Sequence, residues 1–294
     1  MTHRPLAAAL WMIGAIAAFT AMAIATRQIN GVHDTFEILA YRSMIGWVLV
    51  VGLAAAFHKL SDVRTDRLPS HVVRNVFHFT GQSLWFWAIT MIPLAQVFAL
   101  EFTSPIWVIL LSPIFLGESL TRRKLIAAAL GFAGVLIVAR PDFGHIEPGV
   151  LAAAAAAFFF ASTNLMTKAL TKGEPILSIL FWLTLMQAVF GTVAMTLFGP
   201  VTLPTLATLP WLVLIGVAGI TAHFSLTTAL SLAPASTVVP VDFARLPIIA
   251  VVGAMFYDEQ VPPTLFAGAA LIFLGIWITL RGASRPQAPH VTRP

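Results

Sequence analysis

PLAQVFALEFTSPIWVILLSPIFLGE, running from Pro93 to Glu118, decides how this chain is read. The stretch is almost wholly apolar, yet Glu101 stands inside it and Glu118 closes it. A second stretch, PASTVVPVDFARLPIIAVVGAMFYDE from Pro234 to Glu259, repeats the plan at a constant offset of 141 residues. Under that offset Pro93 meets Pro234, Glu101 meets Asp242, Phe102 meets Phe243, Phe115 meets Phe256 and Glu118 meets Glu259. A carboxylate costs a few kcal/mol inside a bilayer, so it is kept there for a reason. Two copies of one acid-bearing apolar helix point to a duplicated membrane protein with its functional site between the copies.

Working outward, the register holds over most of both halves. Leu10 meets Leu151, Phe19 meets Phe160, Thr26 meets Thr167 and Arg27 meets Lys168. Gly134 meets Gly275, and Arg140 meets Arg281. The chain is 59% hydrophobic and only 10% charged over 294 residues. Soluble domains are about a quarter charged, so this composition cannot cover a water-facing surface and implies the lipid bilayer as solvent. There is no cysteine, which excludes disulfides and thiol chemistry. The net charge of +5 would suit nucleic acid in a soluble chain. In a membrane chain it belongs on cytoplasmic loops, and no nucleic-acid partner is expected.

Counting about twenty apolar residues per span predicts an all-α integral membrane protein with ten transmembrane helices. The expected ranges are 6–26, 36–57, 71–91, 94–116, 122–139, 148–170, 176–198, 209–231, 235–256 and 262–281. The first run reads as a spanning helix and not as a removable signal. Five helices per repeat, an odd number, insert the second half upside down, giving two inverted five-helix repeats over 1–144 and 145–281. The polar, Pro-rich residues 282–294 are expected to form a disordered cytoplasmic tail. Lys and Arg favour both termini inside.

Ser104 to Pro141, SPIWVILLSPIFLGESLTRRKLIAAALGFAGVLIVARP, resembles the close of an EamA repeat of the drug/metabolite transporter superfamily. That pattern is a proline-bearing helix ending in Gly-Glu, a basic turn and a Gly-rich helix. The second copy departs from it, with Asp258 before Glu259 and Pro262–Pro263 in place of the basic turn. His71 to Trp107 further resembles a bacterial branch containing S-adenosylmethionine and riboflavin transporters. The resemblance implies a central cavity, alternating access and a small-molecule substrate, in a multi-pass protein of the cell inner membrane.

Several polar residues are candidates to line that cavity. On helix 3, Arg74, His78, Gln82 and Trp85 recur at helical spacing and form one stripe. A polar stripe facing lipid is costly, so His78 and Gln82 are expected to face the interior, with Trp85 either stacking on a planar substrate or sitting in an interfacial belt. Glu101 is a candidate for substrate contact or proton coupling. Asp242 and Arg245 lie three apart and are neighbours on helix 9; they either neutralise each other or Arg245 bridges to Glu101. Pro105, Pro240 and Pro247 are expected to loosen the helices around these acids. His223 is the repeat mate of Gln82, and Asn164 is the polar group nearest mid-membrane on helix 6. Arg42 is expected to be structural, snorkelling outward or paired with Asp34 or Glu37. Glu118 and Glu259 are expected to cap or gate.

The leading expectation is a secondary transporter of an amino-acid-like or planar aromatic metabolite, without a cofactor. No GxxxxGK[ST] stretch is present for ATP drive. An embedded metalloenzyme using His78, Glu101, His223 and Asp242 lacks tight ligand spacing such as HExxH. A non-transporting scaffold leaves the inverted repeat unexplained.

Overall fold

The computed structural model describes residues 4–29, 31–92, 97, 100–139, 147–248, 251, 255 and 263–283. Helices dominate the described residues, and no strand is among them. The elements are α1 (Pro5–Gln28), α2 (Thr35–Ala56), α3 (Leu68–Met91), α4 (Ser104–Leu116), α5 (Arg122–Ala139), α6 (Pro148–Leu170), α7 (Ile176–Phe198), α8 (Leu209–Leu232), α9 (Ala235–Val238) and α10 (Thr264–Ala283). The expected spans 122–139, 148–170 and 176–198 coincide with α5, α6 and α7. Six of the helices, α1, α2, α6, α7, α8 and α10, contain stretches long and apolar enough to cross a bilayer. Pro93, Arg140, Pro141, Phe256, Asp258, Glu259, Pro262 and the tail from residue 284 lie outside the described residues.

Side-chain size is distributed as a bilayer demands. Buried positions are rich in alanine, including Ala15, Ala153, Ala157, Ala161 and Ala229. Large apolar residues such as Leu10, Ile114, Leu197 and Phe266 point outward. Lipid is as apolar as leucine, so helices associate here through close packing of small residues. The principal partners are α1 with α8, α3 with α6, α2 with α7 and α5 with α10. A twofold axis exchanging the halves turns the α1–α8 pair into the α6–α3 pair and maps the other two onto themselves. The α5–α10 seam repeats this relation at atomic scale. A Cβ on Gly134 would lie 2.5 Å from the Gly268 carbonyl oxygen, and one on Gly275 would lie 2.7 Å from that of Ala127. Ala127 and Gly268 are themselves 141 residues apart.

The expected spans 94–116 and 235–256 are not continuous helices. The first is interrupted by a turn at Phe102–Thr103, just after Glu101. The second begins as the four-residue α9, tightens into a 3-10 segment over Val239–Ala244 and becomes helical again from Arg245. Proline supplies the physical reason. It has no N–H to donate and its ring crowds the carbonyl four residues earlier. Pro105 crowds the Glu101 carbonyl and Pro247 that of Phe243, at the two breaks. Each half therefore carries its acid at a helix break, where backbone groups are released toward the interior.

The ends of these elements are tied across the halves. α4 stops at Gly117, whose φ of 65° favours glycine and turns the chain. Glu118 then accepts from the backbone N–H groups of Ala235 at 2.8 Å and Ser236 at 3.2 Å, and from the Ser236 hydroxyl. This carboxylate thus caps the start of α9, where free N–H groups and the helix dipole favour an anion. Lys168 is buried and donates to the carbonyls of Leu230 at 2.5 Å and Ala233 at 2.9 Å, closing the end of α8. Glu118→Ala is expected to cost about 2 kcal/mol, the range of hydrogen bonds to a charged group. The check is the thermal midpoint of purified protein, with Glu118→Asp retaining part of the loss.

Candidate functional site

Three charged side chains meet where the two broken helices approach each other. Arg245 donates through Nη2 to Glu101 Oε1 at 2.5 Å and to Asp242 Oδ2 at 3.0 Å. The contact joins the acid of the first half to that of the second, so both alternatives for Arg245 are realised together. Burial differs only modestly among the three, with side-chain exposure of 11% for Arg245 and Glu101 and 21% for Asp242. The guanidinium also sits over the rings of Phe19, 5.3 Å from its centroid, and Phe102, at 5.2 Å. Such cation–π contacts are stronger where water is excluded. The network keeps open valences: Glu101 Oε2, Asp242 Oδ1 and Arg245 Nε have no partner among the described residues. Trp85 does not stand in open space; it packs beside Phe102, Phe243, Leu246 and Ile272 and forms the apolar floor of this cluster.

The polar stripe of α3 faces inward. His78 and Gln82 are both more than nine-tenths buried. The His78 ring meets that of His223 edge to face at 5.0 Å, and His223 meets Phe19 at 5.8 Å. Neither ring nitrogen of His78 has a partner among the described residues. Arg74 donates to Thr167 Oγ1 at 3.1 Å and to Asn75 Oδ1 at 3.0 Å. It is held inside the bundle by these bonds and does not reach toward lipid headgroups. A run of aromatic faces therefore leads from Arg245 through Phe19 and His223 to His78. Asn164 on α6 is half-buried and takes no part in these contacts.

Arg42 departs from its expected place. It neither snorkels outward nor pairs with Asp34 or Glu37. Those two acids are spent on one another's backbone: Asp34 Oδ1 accepts from Glu37 N at 2.9 Å and Glu37 Oε2 accepts from Asp34 N at 3.0 Å, a capping box that starts α2. Glu37 also takes the N–H of Thr202 and contacts His33 Nδ1 at 3.2 Å. Arg42 instead turns inward. With the Gln82 amide assigned to satisfy its neighbours, its oxygen accepts from Arg42 at 2.6 and 3.2 Å and its nitrogen donates to Gln187 Oε1 at 3.3 Å. Arg42, Ser43, Thr184, Gln187, Gly216 and His223 line a small, partly open pocket with room for about one water. Arg42, Gln187 and Asn75 were not singled out as site residues from sequence. Under the offset, Arg42 falls opposite Leu183, Gln187 opposite Gly46 and Asn75 opposite Gly216, so the repeat gave no second signal.

The EamA-like transporter family profile matches this chain twice, over residues 6–140 and 147–281. The chain belongs to the EamA-like transporter family. It is 29% identical over 281 residues to the riboflavin transporter of Vibrio cholerae, covering 93% of each chain. It is 30% identical over 292 residues to the riboflavin transporter of Rhizobium johnstonii, covering 97% of this chain and 94% of the relative. The S-adenosylmethionine uptake transporter of Rickettsia bellii is 22% identical over 262 residues, 89% of each chain. A solved crystal structure at 21% identity superposes with a TM-score of 0.81 over 96% of this chain, which establishes the fold. This EamA-like transporter is a multi-pass membrane protein and a secondary transporter of a small metabolite, and not an enzyme.

Proposed function

We propose that this transporter carries a small planar heteroaromatic metabolite of the riboflavin type across the bacterial inner membrane by alternating access. The observation that carries the cargo is the gradient of similarity. Relatives named riboflavin transporter are 29–31% identical over 89% or more of the chain, whereas those named S-adenosylmethionine uptake transporter are 21–24% identical. The aromatic run of Phe19, His223 and His78, with buried amides beside it, supports a flat polar molecule: rings stack on its faces and amides read its edges. The meeting of two broken helices through Arg245 supports rocking of one repeat against the other around a central site. His78, Gln82, His223, Glu101, Asp242 and Arg245 are the proposed contacts, with Trp85 supporting them from the apolar floor and Asn164 at the margin. Lys and Arg on alternate connections support cytoplasmic termini.

Glu101 is the proposed coupling group, because protonation or a cationic group on the cargo would release Arg245 from it. In proteoliposomes, the wild type is expected to accumulate labelled riboflavin, and unlabelled S-adenosylmethionine is expected to compete poorly. Glu101→Gln is expected to cut the initial rate on the order of tenfold, equivalent to about 1.4 kcal/mol, while the protein still inserts and folds. Wild-type flux in that variant would remove the role of Glu101; absence of riboflavin flux in the wild type would remove the cargo.

A further inference from the structure

Two connections of the bundle are repeat mates. The α2–α3 connection, residues 58–67, falls on the α7–α8 connection, residues 199–208, at the offset of 141. Each folds away from its own half and onto the other. Residues 58–67 lie against the start of α7. There the Arg64 N–H donates to Ser178 Oγ at 2.9 Å, and the Trp182 indole N–H donates to the Arg64 carbonyl at 2.8 Å. Residues 199–208 lie against the start of α2. There the Thr202 N–H donates to Glu37, and the Tyr41 hydroxyl donates to the Thr202 carbonyl at 2.8 Å.

The anchoring residues correspond. Glu37 is the repeat mate of Ser178, and Tyr41 is that of Trp182. In each half the first anchor takes the N–H of one connection residue, and the second, one helical turn on, holds the carbonyl of that same residue. Outer contacts match as well: His33 Nε2 meets Thr208 Oγ1 at 3.1 Å, and their mates are Glu174 and Arg67. The Arg67 guanidinium lies against Gly173, 3.1 Å from where a Cβ would stand. The gripped residues themselves are three positions out of register, since Arg64 falls opposite Thr205. The repeat is thus carried by the anchors. A surface connection can satisfy its backbone with water. Here side chains of the opposite half do so twice, in the same way, so the contacts express how the halves stand to one another.

The end of α2 lies beside the start of α7, and the end of α7 beside the start of α2, so the two connections close opposite ends of this helix pair. Both are latched in this structure. The pocket between them beside His223 has room for about one water, far less than a metabolite needs. A cargo can enter only if one end lets go. Each latch is a few hydrogen bonds at a surface where water can replace them, so it can open without unfolding the bundle.

We propose that these connections are the paired gate straps of the transport cycle, Glu37 and Tyr41 latching one face and Ser178 and Trp182 the other. Each face opens by releasing its own strap while the opposite strap holds. This rests on the alternating-access reading and adds the residues that execute it.

The chain has no cysteine, so a single reporter thiol can be placed at will. His78→Cys puts one in the buried middle of α3, and a membrane-impermeant thiol reagent is added to one face of vesicles holding oriented full-length protein. Adding Trp182→Phe and Ser178→Ala is expected to speed labelling from the α2–α3 connection's face at least tenfold and to slow it from the other. Adding Tyr41→Phe and Glu37→Gln is expected to do the reverse. No change, or an equal rise from both faces, overturns the straps. A rise from the proper face without a fall from the other keeps the straps and removes alternating access. A second arm covers any variant that fails to fold. Arg64→Cys with Ser178→Cys, positions already joined by a hydrogen bond, is oxidised to lock one strap. Riboflavin flux is expected to fall at least tenfold on oxidation and to return on reduction. Equal flux in both forms overturns the gate role. Absence of riboflavin flux in the wild type removes the cargo, while the labelling arm still reads the straps.

Discussion

Arg245→Ala is expected to lose transport and to cost about 3–5 kcal/mol of stability, the range for removing one partner of a buried ion pair. The loss is large because two carboxylates depend on the same guanidinium. Nη2 alone bonds both Glu101 and Asp242, so alanine leaves two negative charges facing each other in an apolar setting. It also removes the cation held over Phe19 and Phe102. Adding Glu101→Gln and Asp242→Asn to Arg245→Ala is expected to restore most of the thermal stability without restoring flux. Restored flux in the triple variant would show that the cluster is only structural. Unchanged stability in Arg245→Ala would show that water or another cation already neutralises the acids.

The all-helical membrane fold could be read from the sequence because bilayer solvation leaves so few alternatives. Twenty-residue apolar runs, proline at the connections and an acid echoed at an offset of 141 were enough to place most helices. The helix breaks were only half legible. Pro105 and Pro247 announced weakened hydrogen bonding, but the turn at Phe102–Thr103 and the 3-10 segment at Val239–Ala244 depend on how the two halves pack. The inward path of Arg42 was not legible. Glu37 stands five residues before it on α2 and Asp34 caps the same helix, which makes a local ion pair the natural expectation. Their capping box and the bond to Thr202 withdraw them, and Gln82, forty residues away, receives the guanidinium instead. A search for repeated charges favours Glu101 and Asp242 and passes over residues such as Arg42 and Gln187, which have no echo.

Gly134→Leu is expected to be the most disruptive substitution away from the charged cluster. A Cβ there would meet the Gly268 carbonyl oxygen at 2.5 Å and Ile272 Cγ1 at 2.7 Å. A backbone oxygen cannot rotate aside, so α5 and α10 must separate along the seam. Overpacking typically costs 1–3 kcal/mol, and a clash against backbone places this variant at about 3 kcal/mol or above. The measurement is the thermal midpoint and the yield of folded protein. Gly131→Ala, one turn away on α5, separates seam from site. Its Cβ would meet the Phe243 ring at 2.6 Å. That ring can yield, so less stability is lost than in Gly134→Leu. Yet Phe243 adjoins Asp242 and packs in one cluster with Phe102 and Trp85, so its displacement is transmitted to the Arg245 contacts. Gly131→Ala is therefore expected to lower transport more than its loss of stability accounts for. A proportionate loss of both would mean that the α5–α10 seam supports the fold without tuning the site.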